Sequence, residues 1–175
     1  MKQKMNKKYV LTGVAGSGKS TIINELRKLG YPVTDEAARQ LIMRLQDEDP
    51  SLLPWNNRLA FQELAENLQF DNYNQFSGFF DRSIIDEIAY RRFNDVDVPT
   101  HLIAMCNHCR HDEIFIFPPF KEIYSSDNVR VDTFEESASM YPYLLEGYEM
   151  FGYKPIVVEK DSIENRIEFI LNNIK

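Results

Sequence analysis

Apolar residues along the chain form short continuous runs and longer helical stripes, and the two alternate. Lys8-Tyr9-Val10-Leu11-Thr12 is a short run that reads as a buried strand, and Ile22, Ile23, Leu26 and Leu29 follow at helical spacing. Gly30 stands where a left-handed cap ends that helix. Tyr31-Pro32-Val33-Thr34 predicts a second short strand, and the chain from Asp35 to about Gln46 a helix. Residues 47–55 are polar and broken by Pro50 and Pro54, hence a loop. Phe61, Leu64, Ala65 and Leu68 place a helix over 57–73. Gly78-Phe79-Phe80-Asp81 is a third strand, and Ser83-Ile84-Ile85-Asp86 has the capping-box pattern of a helix running to Phe93. After Pro99 and Thr100 a further helix leads into a fourth strand at Glu113–Phe117. Thr133-Phe134-Glu135-Glu136 is another capping box, opening a helix that Gly152 stops. Pro155-Ile156-Val157-Val158 is a fifth strand, and Asp161-Ser162-Ile163-Glu164 caps a last helix bearing Ile167, Ile170 and Leu171. Strands separated by helices throughout predict a three-layer α/β fold around a doubly wound, mainly parallel, five-stranded sheet. No repeat or linker divides residues 1–175, which read as one domain.

Composition narrows the partners. With 175 residues and 43% hydrophobic content the chain suits one domain with a sizeable core. A net charge of −7 argues against nucleic acid as a general partner, while leaving room for a local basic pocket. Lys2, Lys4, Lys7 and Lys8 resemble the start of a signal peptide, but the apolar run behind them is too short. No stretch approaches the ~20 apolar residues of a membrane span, so the expected location is cytoplasmic. The chain pattern leaves the oligomeric state open. Two cysteines make no disulfide framework. Cys106 and Cys109 stand near His101, His108 and His111, which admits a metal site; the plainer reading is a helix carrying these residues towards the fourth strand. A redox pair is a poorer fit, because this Cys-x-x-Cys does not open a helix behind a strand.

The chemistry concentrates where the first strand meets the first helix. Gly13-Val14-Ala15-Gly16-Ser17-Gly18-Lys19-Ser20-Thr21 matches the phosphate-binding P-loop, with the strand before it and the helix after it that the motif requires. Its glycines let successive N–H groups turn onto a phosphate at a helix N-terminus. Lys19 can reach the β- and γ-phosphates of ATP, and the Ser20 hydroxyl can hold Mg²⁺. Asp81, delivered at the end of an apolar strand, has the position of a second Mg²⁺ ligand, and Arg82 could stabilise phosphoryl charge. Ligands of open parallel sheets lie beyond the carboxyl ends of strands. That brings Asp35 and Glu36 near an acceptor hydroxyl, with Arg39 one turn along, although acidic residues also favour a helix's first turn. Trp55 and Arg58 could line the acceptor pocket. For Asp86 the capping-box pattern offers the plainer role, a cap on the helix through Phe93.

Three segments together resemble a known family: GVAGSGKST, the FFDRS strand end, and Pro118-Pro119-Phe120-Lys121-Glu122-Ile123-Tyr124 leading to Asp127, Arg130 and Thr133-Phe134-Glu135-Glu136-Ser137. With Asp35-Glu36-Ala37-Ala38-Arg39 and Leu53-Pro54-Trp55 they are similar to the NadR-like AAA domain family of P-loop ATPases, which shares its layout with nicotinamide riboside kinase domains and, more distantly, nucleoside and thymidylate kinases. The resemblance implies a kinase-like P-loop fold with ATP and Mg²⁺ as ligands. It implies that Glu36 approaches the acceptor hydroxyl and is followed by the basic Arg39, that Asp81 and Arg82 are the strand-end pair, and that Arg130 belongs to the segment closing over the phosphates. Phe120 stands where the family often has tryptophan. Val131 stands where a second arginine is common, which leaves Arg130 alone in that segment.

Two functions of different class fit. One is a small-molecule kinase moving the ATP γ-phosphoryl group to a nucleoside-like hydroxyl, with Lys19, Glu36, Asp81, Arg82 and Arg130 as catalytic residues. The other is a nucleotide-dependent regulatory ATPase whose bound nucleotide orders loops for a protein or lipid partner. A switch GTPase lacks support, since no Asn-Lys-x-Asp guanine motif is present. A ring-forming motor is disfavoured because Arg82, not glutamate, follows Asp81.

Overall fold

The computed structural model describes residues 5–121 and 133–174. Along them run β1 (Lys8–Gly13), α1 (Lys19–Lys28), α2 (Ala37–Glu48), a short 3₁₀ turn (Pro50–Leu52), α3 (Arg58–Gln75), β2 (Gly78–Asp81), α4 (Ile84–Phe93), α5 (Thr100–His108), β3 (Glu113–Phe117), α6 (Phe134–Ser139), α7 (Tyr141–Met150), β4 (Ile156–Val157) and α8 (Ile163–Asn173). The strands pair in parallel in the order β2-β1-β3-β4. Side-chain alternation along them builds two cores. Tyr9, Leu11, Phe79, Phe115 and Phe117 face α1 and α8, whereas Val10, Phe80 and Ile114 face α4, α5 and α7. The result is the three-layer arrangement expected.

Among the described residues the sheet has four strands rather than five. The predicted strand at Tyr31–Thr34 lies beside β2 but contributes a single bridge, Val33 to Phe79. Phe79 N–H donates to the Pro32 carbonyl and Thr34 N–H to the Phe79 carbonyl, both at 2.9 Å. Pro32 has no N–H to extend the ladder, and the chain turns away at once into α2. The helix expected from Thr133 to Gly152 is two helices that meet at Met140. Pro142 accounts for the break, because its ring cannot donate to the carbonyl of residue 138 and fits only the first turn of a new helix.

A third apolar cluster (Leu41, Ile42, Leu45, Leu53, Phe61, Ala65) joins α2, the 3₁₀ turn and α3 beyond the edge of the sheet. This small subassembly forms one wall of the cavity described next.

Candidate functional site

β1 carries Gly13 to the carboxyl end of the sheet, against Phe117 of β3. Gly16 and Gly18 adopt φ of 74° and 75°, a left-handed region that favours glycine and lets the loop curl over its own N–H groups. Gly18 is the N-cap of α1, and no side chain caps that end. The helix therefore presents its first N–H groups and positive dipole end to whatever the loop encloses. Ser17 Oγ is buried without a hydrogen-bond partner among the described residues. Val14 is buried, and Ala15 lies half-buried beside it. Thr21 differs from the rest of the motif: it is exposed and lines a groove with Asn24, Glu25, Arg27 and Lys28 on the outer side of α1.

The buried Lys19 ammonium is hydrogen-bonded to Asp81 Oδ1 at the end of β2. One residue on, Arg82 has a left-handed φ of 70°, unusual for a side chain of its size. That turn sends the guanidinium back across the sheet end. Arg82 Nε donates to Glu36 Oε1 and Nη1 to the Gly13 carbonyl, each at 2.9 Å, and Nη1 lies 3.5 Å from Asp86 Oδ1. Burial by itself would lower the Arg82 pKa, but Tyr90, Glu36, Asp86 and Asp81 around it push it well above its ordinary value. The guanidinium is a permanent cation. Glu36 is the N-cap residue of α2, yet its side chain makes no cap bond; the carboxylate turns to Arg82 instead.

Asp86 does form the predicted capping box with Ser83. It is also the centre of a buried network, accepting from Thr12 Oγ1 and, at 2.5 Å, from the Tyr148 hydroxyl, which lies 2.8 Å from Ser83 Oγ. This network fixes the start of α4, and with it Arg82, against β1 and α7.

Beyond Glu36 opens a cavity of about 270 Å³ between α2, α3 and α4. Arg39, Ile42, Arg58 and Phe61 line it on one side, Glu87, Tyr90 and Asn94 on the other, and Gln62 stands between them. A second cavity, of about 350 Å³, is lined by Ser20, Asp35, Glu36, Arg39 and Asp81 among others. A third joins Val14 and Ala15 of the loop to Glu36, Arg82 and Tyr90. Glu36 borders all three. Trp55 is 60% exposed and is not among the residues lining the 270 Å³ cavity, whereas Pro54 and Phe61 are. Asp35 is exposed and paired with Arg27 at 2.7 Å. Arg130 lies outside the described residues.

Sequence reading missed Gln62, Glu87, Tyr90 and Asn94. Gln62 Oε1 is buried without a partner among the described residues, so an amide acceptor faces the cavity region unsatisfied. Burial, with the nearby Asp86 and Glu66 carboxylates, raises the Glu87 pKa to about 8 against the opposing pull of Arg82 and Arg91. Burial likewise pushes the Tyr90 phenol to about 12. A signal was present. Gln62, Glu66 and Gln69 form a buried polar stripe at helical spacing on α3, and Glu66 pairs with Arg91 of α4 at 2.5 Å. Buried polar stripes need partners, and here one partner set is a cavity.

Oxygen donors suited to Mg²⁺, the Ser20 hydroxyl and the Asp81 carboxylate, line the second cavity together. Among the described residues no group of three or more His, Cys, Asp or Glu is arranged to hold a metal. A bound Mg²⁺ would therefore take most of its ligands from phosphate and water, as this ion commonly does. The cysteines take the plainer course. Cys106 and Cys109 are buried in the core around α4 and α5, and burial raises both thiols, Cys109 to about 12. His111 packs on Tyr73 and Phe80, and His101 is exposed 3.8 Å from Glu66.

Comparison with known proteins agrees with this architecture. Among solved structures the chain is similar to deoxyadenosine kinase from M. mycoides with products dCMP and a flexible dCDP bound (TM-score 0.68, 19% identity, covering 94% of this chain and 96% of that one). The same kinase with bound dATP gives a TM-score of 0.63 at 20% identity, covering 94% and 97%. NadR in complex with NR gives 0.69 at 20% identity over 95% of this chain, which spans 50% of the NadR chain. At these identities the likeness is one of fold. No curated protein matches the sequence. No described helix is long and apolar enough to cross a membrane. The profile of the AAA domain family matches residues 8–166, from the first residue of β1 into α8, and the chain belongs to that family of P-loop proteins.

Proposed function

We propose that residues 1–175 form one kinase domain that transfers the γ-phosphoryl group of ATP to a hydroxyl of a nucleoside-like acceptor. The observation that carries this reading is the position of Glu36, whose carboxylate borders at once the loop-side cavities and the separate 270 Å³ cavity between α2, α3 and α4. A regulatory ATPase has no need of a second small-molecule cavity that meets the phosphate loop at a buried carboxylate. The similar solved structures are a deoxyadenosine kinase with dCMP and dCDP or with dATP bound, and NadR in complex with NR, which supports an acceptor of that class.

In this reading the loop N–H groups from Gly13 to Ser20 hold the phosphates, and Lys19 leaves Asp81 to meet the β- and γ-oxygens. Ser20 and Asp81 would hold Mg²⁺, which when bound would neutralise phosphate charge and orient the γ-group. Glu36 accepts the proton of the acceptor hydroxyl, and Arg82 and Arg130 offset charge as the phosphoryl group moves. Arg39 and Arg58 hold polar groups of the acceptor. The unpaired Gln62 amide and the protonated Glu87 carboxyl offer an acceptor and a donor to a neutral ring, with Phe61 and Tyr90 as its apolar walls.

The test follows γ-labelled ATP with Mg²⁺ against nucleosides, nicotinamide riboside and nucleoside monophosphates, with a no-acceptor control. Label on one acceptor class well above the control is the expected result. Tight ATP binding with only slow, acceptor-independent phosphate release would overturn it.

A further inference from the structure

The P-loop is held from outside at alternate residues. Its Gly13 carbonyl accepts from Arg82 Nη1 at 2.9 Å, its Ala15 carbonyl from Ser137 Oγ at 3.1 Å, and its Ser17 carbonyl from Arg166 Nη2 at 3.0 Å. The three donors come from three separate elements: the turn after β2, α6 and α8. In a trans peptide the C=O and the following N–H point in opposite directions. A carbonyl gripped on the outside therefore aims the next residue's N–H to the inside, here those of Val14, Gly16 and Gly18. Gly16 and Gly18, at left-handed φ, have the freest backbones in the loop and the most to gain from such restraint.

Arg166 is built for this task. It is 5% exposed, and its guanidinium lies over the rings of Phe117 and Phe120, 4.8 and 5.6 Å from their centroids. The stack fixes the plane from which Nη2 reaches Ser17. Ser137 is fixed by the capping box that opens α6, in which the Thr133 side chain and Glu136 bond each other's backbone, and Ser137 N–H donates to the Thr133 carbonyl at 3.0 Å. Among the described residues its guanidinium donates to the Ser17 carbonyl, and the Asp161 carboxylate is near enough to act on its charge.

We propose that Arg166 and Ser137 are positioning residues for phosphate binding: together with Arg82 they clasp the outward carbonyls of the P-loop and so preorganise its inward N–H groups before a nucleotide arrives. The proposal rests on the loop's binding phosphates, as the kinase reading has it. Preorganised donors spend no binding energy on ordering the loop, so loosening one clasp weakens the grip on phosphate and leaves the acceptor cavity alone.

Inorganic tripolyphosphate with Mg²⁺ is the probe, since it meets the loop and no nucleoside pocket. Its affinity is measured by calorimetry on the wild-type chain, on Lys19→Ala, on Arg166→Met and Arg166→Lys, and on Ser137→Ala and Ser137→Thr, with melting temperatures alongside. Expected are loss of binding in Lys19→Ala, about tenfold weakening in Arg166→Met and about threefold in Ser137→Ala. Arg166→Lys and Ser137→Thr, which keep a donor, recover part of it, and the acceptor KM stays unchanged. Wild-type affinity in folded Arg166→Met and Ser137→Ala, with Lys19→Ala still defective, would overturn the clasp while leaving the phosphate site intact. No binding by the wild-type chain would overturn both. Should Arg166→Met fail to fold, the Ser137→Ala and Ser137→Thr pair decides: equal affinity in the two sinks the proposal.

Discussion

Arg82 Nε donates to Glu36 Oε1 across 2.9 Å, joining the residue after β2 to the N-cap of α2 in a pair that is buried on both sides. The pair holds the carboxylate where it borders both the loop-side cavities and the 270 Å³ cavity between α2, α3 and α4. Glu36→Gln retains the shape and can still accept from Arg82, so the fold and the binding of ATP should survive. Transfer to acceptor should fall by about 10²–10⁴, the usual worth of a positioned base. Turnover with labelled ATP at the wild-type rate would remove Glu36 from that role. Arg82→Met is a harsher change. It leaves Glu36 and Asp86 buried without their cation, and denaturant titration should show a loss of about 3–5 kcal/mol.

Gly13 is needed for a reason of space. A Cβ built there would lie 2.5 Å from the Phe117 carbonyl oxygen and 2.9 Å from its Cβ, at a φ of +148°. The clash is with backbone held in register by β1 and β3, so neither side can yield cheaply. Gly13→Ala should cost about 3 kcal/mol or more in urea unfolding. Gly147, inside α7, is the contrast: its nearest neighbour to an added Cβ is 3.6 Å away. Gly147→Ala should raise stability by about 0.5–1 kcal/mol.

Glu87 should give the acceptor cavity its own pH dependence. Its pKa is raised from 4.5 to about 8 by burial and by Asp86 and Glu66, which outweigh Arg82 and Arg91. Between those values the folded chain holds a proton that the unfolded chain has released. Its contribution to stability is therefore whole below pH 4.5 and declines through pH 8, at about 1.4 kcal/mol per pH unit. In Glu87→Gln this slope should vanish. The acceptor KM of the wild-type chain should shift as pH crosses 8 and stay flat in the variant, while the KM for ATP follows neither.

His111 works in the opposite direction. Burial, with Lys8 and Arg110 nearby, lowers its pKa from 6.5 to about 3 against a weaker upward pull from the Cys109 backbone. The unfolded chain binds this proton first, so the contribution is whole above pH 6.5 and is lost as pH falls towards 3. Thermal melts of His111→Phe should lose that acid sensitivity. The two groups offset each other between pH 4.5 and 6.5, so each single variant should expose the other's slope there.

Much of this architecture was written locally. The P-loop announces itself because phosphate binding needs glycines, a lysine and a hydroxyl at fixed offsets between a strand and a helix. β3 occupies Glu113–Phe117 as its run of apolar residues predicts, and the capping boxes at Ser83 and Thr133 form because their partners are three residues away. Each of these rests on hydrogen bonds or periodicity within a few residues, and such patterns survive in one dimension. The failures are of another kind. Where Trp55 lies could not be read from its neighbours: packing of α2 and α3 buries Leu53 and Phe61 and leaves it largely exposed. Tyr31–Thr34 has the composition of a strand, but ladder length depends on how its neighbour β2 lies and on the turn into α2. Gln62 and Glu87 read as ordinary helix positions because what distinguishes them is a cavity between two helices, not their own neighbours in the chain. Arg166 reaches Ser17 across 149 positions of sequence. Sequence alone determined which chemistry the loop could perform, since backbone torsions and side-chain reach are local properties. The cavity between α2, α3 and α4 and the hydrogen bonds to the loop's carbonyls were decided only by tertiary packing, because burial is what turns a glutamine, a glutamate or an arginine from a solvated side chain into a directed one.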